Sequence, residues 1–175
     1  SGIQAQMVVQ GMVAKELGLA PEKVKVNNTL LGGGFGRRLG DYVLDAVKLS
    51  KAVGKPVKVT WTREDDMDGD FFRPSAYNKM SAGVDAAGKP VFWQHRIVSP
   101  SIMATLGPGL FGFAPPPDRL DDTSVEGANN LPYDMQNLYV DWVDNKPGVP
   151  VGFWRSVGSS HTAFSTECFL DELAQ

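Results

Sequence analysis

The 175-residue sequence holds a single cysteine, Cys168, and only two histidines, His95 and His161. One cysteine cannot close an internal disulfide, and with two imidazoles it makes no side-chain ligand set for zinc or an iron–sulfur cluster. Any metal has to arrive on a cofactor. An excess of positive charge is also missing. The 17 Lys and Arg stand against 20 Asp and Glu, a formal charge of −3, which removes the field that non-specific nucleic-acid binding or an anionic membrane would need. No apolar run nears the ~20 residues of a membrane span, and the first residues lack a basic stretch followed by an apolar one, so neither anchor nor signal peptide is expected. Repeats and low-complexity tracts are absent. Hydrophobic residues at 42% and aromatic ones at 10% are enough to bury a core and exclude intrinsic disorder. The length suits one domain.

What the sequence has in plenty is glycine, 19 residues, and proline, 12, gathered at a few places between periodic segments. Residues 3–17 read as a helix with Val9, Met12, Val13 and Leu17 on one face and Gly18 as its left-handed cap. The alternation at 23–26 predicts a strand running to residue 31, and 42–53 a second helix, stopped by Gly54-Lys55-Pro56. A strand at 57–61 completes a βαβ-like unit. Thr62 and Asp65 form a capping box for a solvated helix start, a better account of the acidic run 64–70 than a calcium loop, whose pattern fails at Phe71 and Tyr77. Strands at 79–84 and 91–98 are joined by a hairpin, and further strands are expected at 138–143 and 149–154. A long Pro/Gly-rich loop spans 99–132, with Leu106, Leu110, Phe111 and Phe113 apolar enough to seek cover on another domain or subunit. A helix at 162–174 points Phe164, Phe169, Leu170 and Leu173 at the core and reaches the last residues uncapped, as in a piece of a longer polypeptide. Cys168, His95 and His161 read as structural, with Cys168 in the core. The class is α+β, a mixed sheet with packed helices.

Two glycine clusters carry the chemistry. Gly32-Gly33-Gly34-Phe35-Gly36-Arg37-Arg38 lies between an expected strand and helix, where small residues let backbone N–H groups approach a ligand. The dinucleotide fingerprint fails, because Arg37 or Leu39 stands where its third glycine belongs. A phosphate-binding P-loop fails at Arg37-Arg38. Gly152-Phe153-Trp154-Arg155-Ser156-Val157-Gly158-Ser159-Ser160 puts aromatics, a cation and hydroxyls before a helix, where anions are favoured. The plainer readings are a tight turn and a serine-capped helix start.

With Gln4 at the head of the first helix, these two motifs resemble the molybdopterin-binding large subunit of the xanthine dehydrogenase and aldehyde oxidase family of molybdenum hydroxylases, in the branch of isoquinoline 1-oxidoreductase-type bacterial aldehyde dehydrogenases. The likeness runs over nearly the whole chain and implies that residues 1–175 are part of a molybdenum-cofactor-binding domain. It also implies a molybdopterin-type cofactor whose metal no protein side chain ligates, contacted by Gln4, Gly33, Gly34, Phe35, Gly36, Arg37, Arg155 and Gly158. The activity implied is oxidation of an aldehyde or N-heterocycle with water as oxygen source. Electrons leave to [2Fe–2S] clusters on a partner iron–sulfur subunit. The family's glutamate base lies beyond Gln175, so no catalytic residue is expected in this chain, and the fragment alone is expected to be inactive. Leu39 stands where purine-oxidising members have a glutamate, Val157 where they have a phenylalanine, and no arginine stands near Ser124. The resemblance therefore implies a less polar substrate than purine. Bacterial cytoplasm and periplasm both stay open. The alternative function is a non-catalytic anion-binding or assembly module.

Overall fold

A computed structural model describes residues 1–116, 119–146 and 148–175. Pro117, one of the prolines of the expected 99–132 loop, lies outside the described residues, as do Asp118 and Pro147. The elements are α1 (Gln6–Leu17), α2 (Val43–Val53), α3 (Arg63–Gly69), β1 (Tyr77–Val84), β2 (Pro90–Ser99), α4 (Ile102–Leu110), α5 (Asp122–Val125), β3 (Leu138–Asp144) and α6 (Ser159–Ala174), with a single 3-10 turn at Pro21–Lys23. Three strands form a mixed sheet in the order β1-β2-β3, the first pair antiparallel and the second parallel. The α+β expectation holds. No helix among the described residues is long and apolar enough to cross a membrane.

Elements with strong local signals form where expected. Gly18 (φ +66°) ends α1 and Gly54 (φ +63°) ends α2, each in the left-handed region that a side chain disfavours. The capping box closes at α3: Asp65 N donates to Thr62 Oγ1 at 3.2 Å and Thr62 N donates to Asp65 Oδ2 at 2.9 Å. The β1–β2 hairpin pairs Tyr77 with Val98 through Gly83 with Phe92.

Three expected strands do not form. Residues 24–31 form no ladder: 24–26 run beside α1, where glutamine side chains take two of their carbonyls, and 27–29 bond to residues 1–3. Gln6 Nε2 donates to Val26 O at 2.7 Å and Gln10 Nε2 to Val24 O at 2.9 Å. Val24 and Val26 pack on Ile3, Val9 and Val13, so their alternation records burial against a helix rather than strand pairing. Residues 57–61 find no strand partner, and Val57 and Trp61 stay exposed. Of 149–154 only Val151 pairs, in a single parallel bridge to Phe72. The βαβ-like unit is therefore absent.

The 99–132 stretch is not a bare loop lying in wait for a partner. Ile102, Leu106 and Leu110, one helical turn apart, are buried together, with Met12, Leu39, Phe71, Phe153 and Val157 packed around them. Gly107, Pro108 and Gly109 argue against a helix by propensity, and burial of that stripe overrides them. A buried carboxylate joins the two helices of the stretch. Asp121 accepts from Ser101 Oγ (2.6 Å) and Met103 N (3.1 Å) at the start of α4, and from Thr123 N (3.0 Å) at the start of α5. Phe111 and Phe113 do remain exposed.

The inward line of α6 is polar. Thr162 and Thr166 are buried, and Thr162 Oγ1 donates to Glu126 O at 2.5 Å. Phe169 meets Trp93 of β2 edge-on, with ring centroids 5.2 Å apart. Docking of these residues turns Phe164 outward, 73% exposed, and leaves Cys168 exposed. Both corrections follow from that rotation.

Candidate cofactor cavity

Above the α4 cluster opens a cavity of about 390 Å³, lined by Gln4, Phe35, Gly36, Leu39 and Phe111, and across from them by residues 153–157. Leu39, Phe153 and Val157 belong to both the cavity and the core beneath it, so the wall is anchored from below. Among the described residues, no carboxylate, thiol or imidazole lines it. Its polar groups are the Gln4 amide, the Arg155 guanidinium and the Ser156 hydroxyl.

The glycine–phenylalanine motif builds one side as a turn. Arg37 N donates to Gly34 O at 2.8 Å, and the two residues between, Phe35 (φ +50°) and Gly36 (φ +88°), have the φ signs of a type I′ turn. Phenylalanine is strained there, and the surroundings hold it. A Cβ on Gly33 would meet the Phe35 ring at 2.8 Å, and one on Gly36 would meet the Phe153 backbone at 2.6 Å. The place of a Gly34 Cβ is taken by the Gln4 amide. Gln4 itself is fixed by its N–H, which donates to Arg38 O at 2.7 Å.

The opposite side is strained too. Besides Phe35, the non-glycine residues with positive φ among the described residues are Ser156 (+60°) and Val157 (+42°), and all three line this cavity. For β-branched Val157 that conformation is an outlier. The strain is thus gathered at one concave place, held there by its surroundings. Arg155 is exposed and lays its guanidinium over the Phe35 ring, 5.6 Å from the centroid. Arg73 braces the far side, donating to Arg155 O at 3.1 Å and Ser160 Oγ at 2.8 Å.

Of the residues named from the sequence, Gln4, Phe35, Gly36 and Arg155 meet at the cavity, and Gly33 and Gly34 shape the turn behind it. Arg37 does not line it. Gly158 is buried at the start of α6, where a Cβ would strike Thr123 O. Leu39 and Val157 enter the lining, whereas Ser124 is buried elsewhere. Phe111 and Ser156 line it too without having been named as cofactor contacts, Ser156 from within the second motif and Phe111 from the apolar string of the expected loop.

His95 and His161 lie outside the lining. Burial, with the field of His161, lowers the pKa of His95 to about 4, against the pull of Asp141. Burial also lowers that of His161. Both imidazoles are structural: His95 Nε2 meets Asn78 Oδ1 at 2.8 Å, and His161 Nε2 donates to Ser124 O at 3.2 Å. A larger hollow of about 490 Å³ lies beside β2 and β3, lined by Phe92, Gln94, Asn137 and Tyr139 among others. None of the motif residues reaches it.

Comparisons with known proteins converge on this architecture. The chain is 32% identical to the beta subunit of isoquinoline 1-oxidoreductase from Brevundimonas diminuta, over 99% of this chain and 22% of that protein. It is also 32% identical to the membrane-bound aldehyde dehydrogenase (pyrroloquinoline-quinone) of Gluconacetobacter polyoxogenes, over 99% of this chain and 23% of that one. The chain thus spans under a quarter of the length of these relatives. Quinoline 2-oxidoreductase from Pseudomonas putida 86 superposes with a TM-score of 0.73 over 99% of this chain and 22% of its own, at 21% identity, a likeness of fold. The family model of the molybdopterin cofactor-binding domain matches residues 1–175, and to that family the chain belongs.

Proposed function

We propose that this chain forms one wall of the cofactor and substrate cavity in the large subunit of a molybdenum hydroxylase. The complete subunit oxidises an aldehyde or an N-heterocycle, with water as the oxygen source, and passes electrons to [2Fe–2S] clusters on a partner. The observation that carries this reading is the meeting of Gln4, Phe35, Gly36 and Arg155 around one strained cavity. The relatives' names, which are those of isoquinoline, aldehyde and nicotinate oxidoreductases, support the reaction class.

The wall suits a molybdopterin-type cofactor. Such a group brings its own metal ligands and asks the protein for hydrogen bonds and shape, and this wall offers an amide, a guanidinium, a hydroxyl and glycine backbone with no room for a Cβ. When bound, the cofactor supplies the two-electron redox centre. Gln4 would then offer its amide and Arg155 its guanidinium to the cofactor's oxygens and anionic groups, and Phe35 would help keep water out of the cavity. Leu39, Phe111 and Val157 leave an apolar surface for a substrate less polar than a purine.

The test uses the complete subunit with its partner. Stoichiometric molybdenum and pterin, turnover of an aldehyde or N-heterocycle, and label from ¹⁸O-water in the product are expected. A folded, complete subunit without molybdenum and pterin leaves the anion-binding or assembly reading. Gln4→Ala should melt within about 0.5 kcal/mol of wild type, since only an exposed side chain is lost. Its turnover should fall ~10-fold or more. Unchanged turnover removes Gln4 from the site.

A further inference from the structure

Arg37 follows the strained turn directly, yet its side chain turns away from the cavity. The guanidinium is mostly buried and forms ion pairs with two carboxylates, Asp41 at 3.3 Å and Asp70 at shorter range, with Nε donating to Asp70 Oδ2 at 3.1 Å. It also lies over the Phe71 ring, 5.1 Å from the centroid. Asp41 precedes α2, and Asp70 lies 33 residues along the chain, at the end of α3. From Asp70 the chain runs straight into the other wall. Phe72 N donates to Pro150 O at 2.9 Å, Gly152 N donates to Phe72 O at 3.0 Å, and a Cβ on Gly152 would meet that of Phe71 at 2.6 Å. One residue later begins the lining segment 153–157.

We propose that Arg37 is a positioning residue that ties the two walls of the cavity together, holding the Phe35 turn on one side and, through Asp70 and Phe71, the Phe153–Val157 segment on the other. Each wall carries positive-φ residues that local preference does not support, so each needs an outside constraint. The Arg37 fork, engaged by two carboxylates, supplies one constraint common to both. Burial alone would lower the pKa of Arg37, but the bonds and fields of Asp70 and Asp41 outweigh it and hold the guanidinium charged. The inference rests on the proposed function only for its kinetic consequence.

The experiment takes the complete subunit and compares Arg37→Gln, Arg37→Lys, Asp70→Asn and the Arg37→Gln/Asp70→Asn double variant. Amide hydrogen exchange is read in peptides covering 33–38, 150–158 and, as internal control, 77–99. In Arg37→Gln both wall peptides should exchange about tenfold faster while the hairpin is unchanged. Asp70→Asn should reproduce this, and the double variant should add little, as expected of one shared network. Arg37→Lys keeps the charge but not the fork, so recovery should be partial. Turnover per bound molybdenum should fall about tenfold with KM within about threefold, because position rather than ground-state binding is lost. Unchanged exchange in either wall peptide, or additive single variants, overturns the proposal. Should Arg37→Gln fail to fold, Asp70→Asn decides by the same two criteria. Absence of molybdenum from the wild type would overturn the proposed function and leave the exchange result to judge Arg37 separately.

Discussion

Along β2, Trp93, His95, Ile97 and Ser99 are buried at alternate positions in unbroken register with β3, and no residue of the sheet has a positive φ. The cavity wall does the reverse, placing Phe35, Ser156 and Val157 in left-handed conformations and leaving Phe35 58% exposed. In the sheet, backbone preference and burial favour the same arrangement, so its apolar side chains add to stability. In the wall, the surroundings impose a conformation the local residues resist, and what the side chains supply is a shaped surface. The exposed turn residues of the wall and the buried residues of the sheet are therefore expected to respond differently to substitution.

Removing the largest buried side chain of the sheet should have the largest effect. Trp93→Ala should lose about 3–5 kcal/mol, because the indole fills the space between β2 and α6 and cannot be replaced by collapse. Denaturant unfolding followed by circular dichroism measures this. A loss under about 1 kcal/mol would place the wall and the sheet on the same footing.

The next effect is pH dependence from the same strand. His95 is fully buried, with a folded pKa of about 4, below the ordinary 6.5 of the unfolded chain. The unfolded state therefore binds the proton more readily, and the contribution is full above pH 6.5. It is lost as pH falls from there toward 4, in all on the order of 3 kcal/mol. His95→Gln should flatten unfolding free energy across that window. An unaltered slope in the variant would move the effect to another group.

The smallest change in stability should come with a large change in function. Phe35→Asn suits a φ of +50° better than the ring does. Unfolding should stay within about 0.5 kcal/mol of wild type or shift upward. Turnover of the complete subunit should drop at least ~10-fold. Destabilisation beyond about 1 kcal/mol would mean that the wall, like the sheet, contributes its side chains to folding.

Legibility in the sequence follows the same division. Gly18, Gly54 and the Thr62–Asp65 box were readable because caps act within a few residues. Gln4, the Gly32–Arg38 motif and the Gly152–Ser160 motif carried the resemblance, and Gln4, Phe35, Gly36 and Arg155 among the residues it named meet at the cavity. Arg37 looked like part of that surface because nothing within the motif shows Asp70 waiting beyond α3. The apolar faces of α4 and α6 were misread for a related reason. Gly107 and Pro108 hid one helix, and on the other the stripe that includes Phe164 concealed the threonines that docking turns inward.

By itself, the sequence determined the ends of α1 and α2, the α3 capping box and the β1–β2 hairpin, because these depend on hydrogen bonds and φ preferences of near neighbours. Only the tertiary structure decided that 24–26 lies against α1 with the Val24 and Val26 carbonyls taken by Gln10 and Gln6, that 57–61 goes unpaired, and that Asp121 caps two helices at once. A strand needs a partner ladder and a buried carboxylate needs donors. Both come from residues that the chain brings near only when it folds.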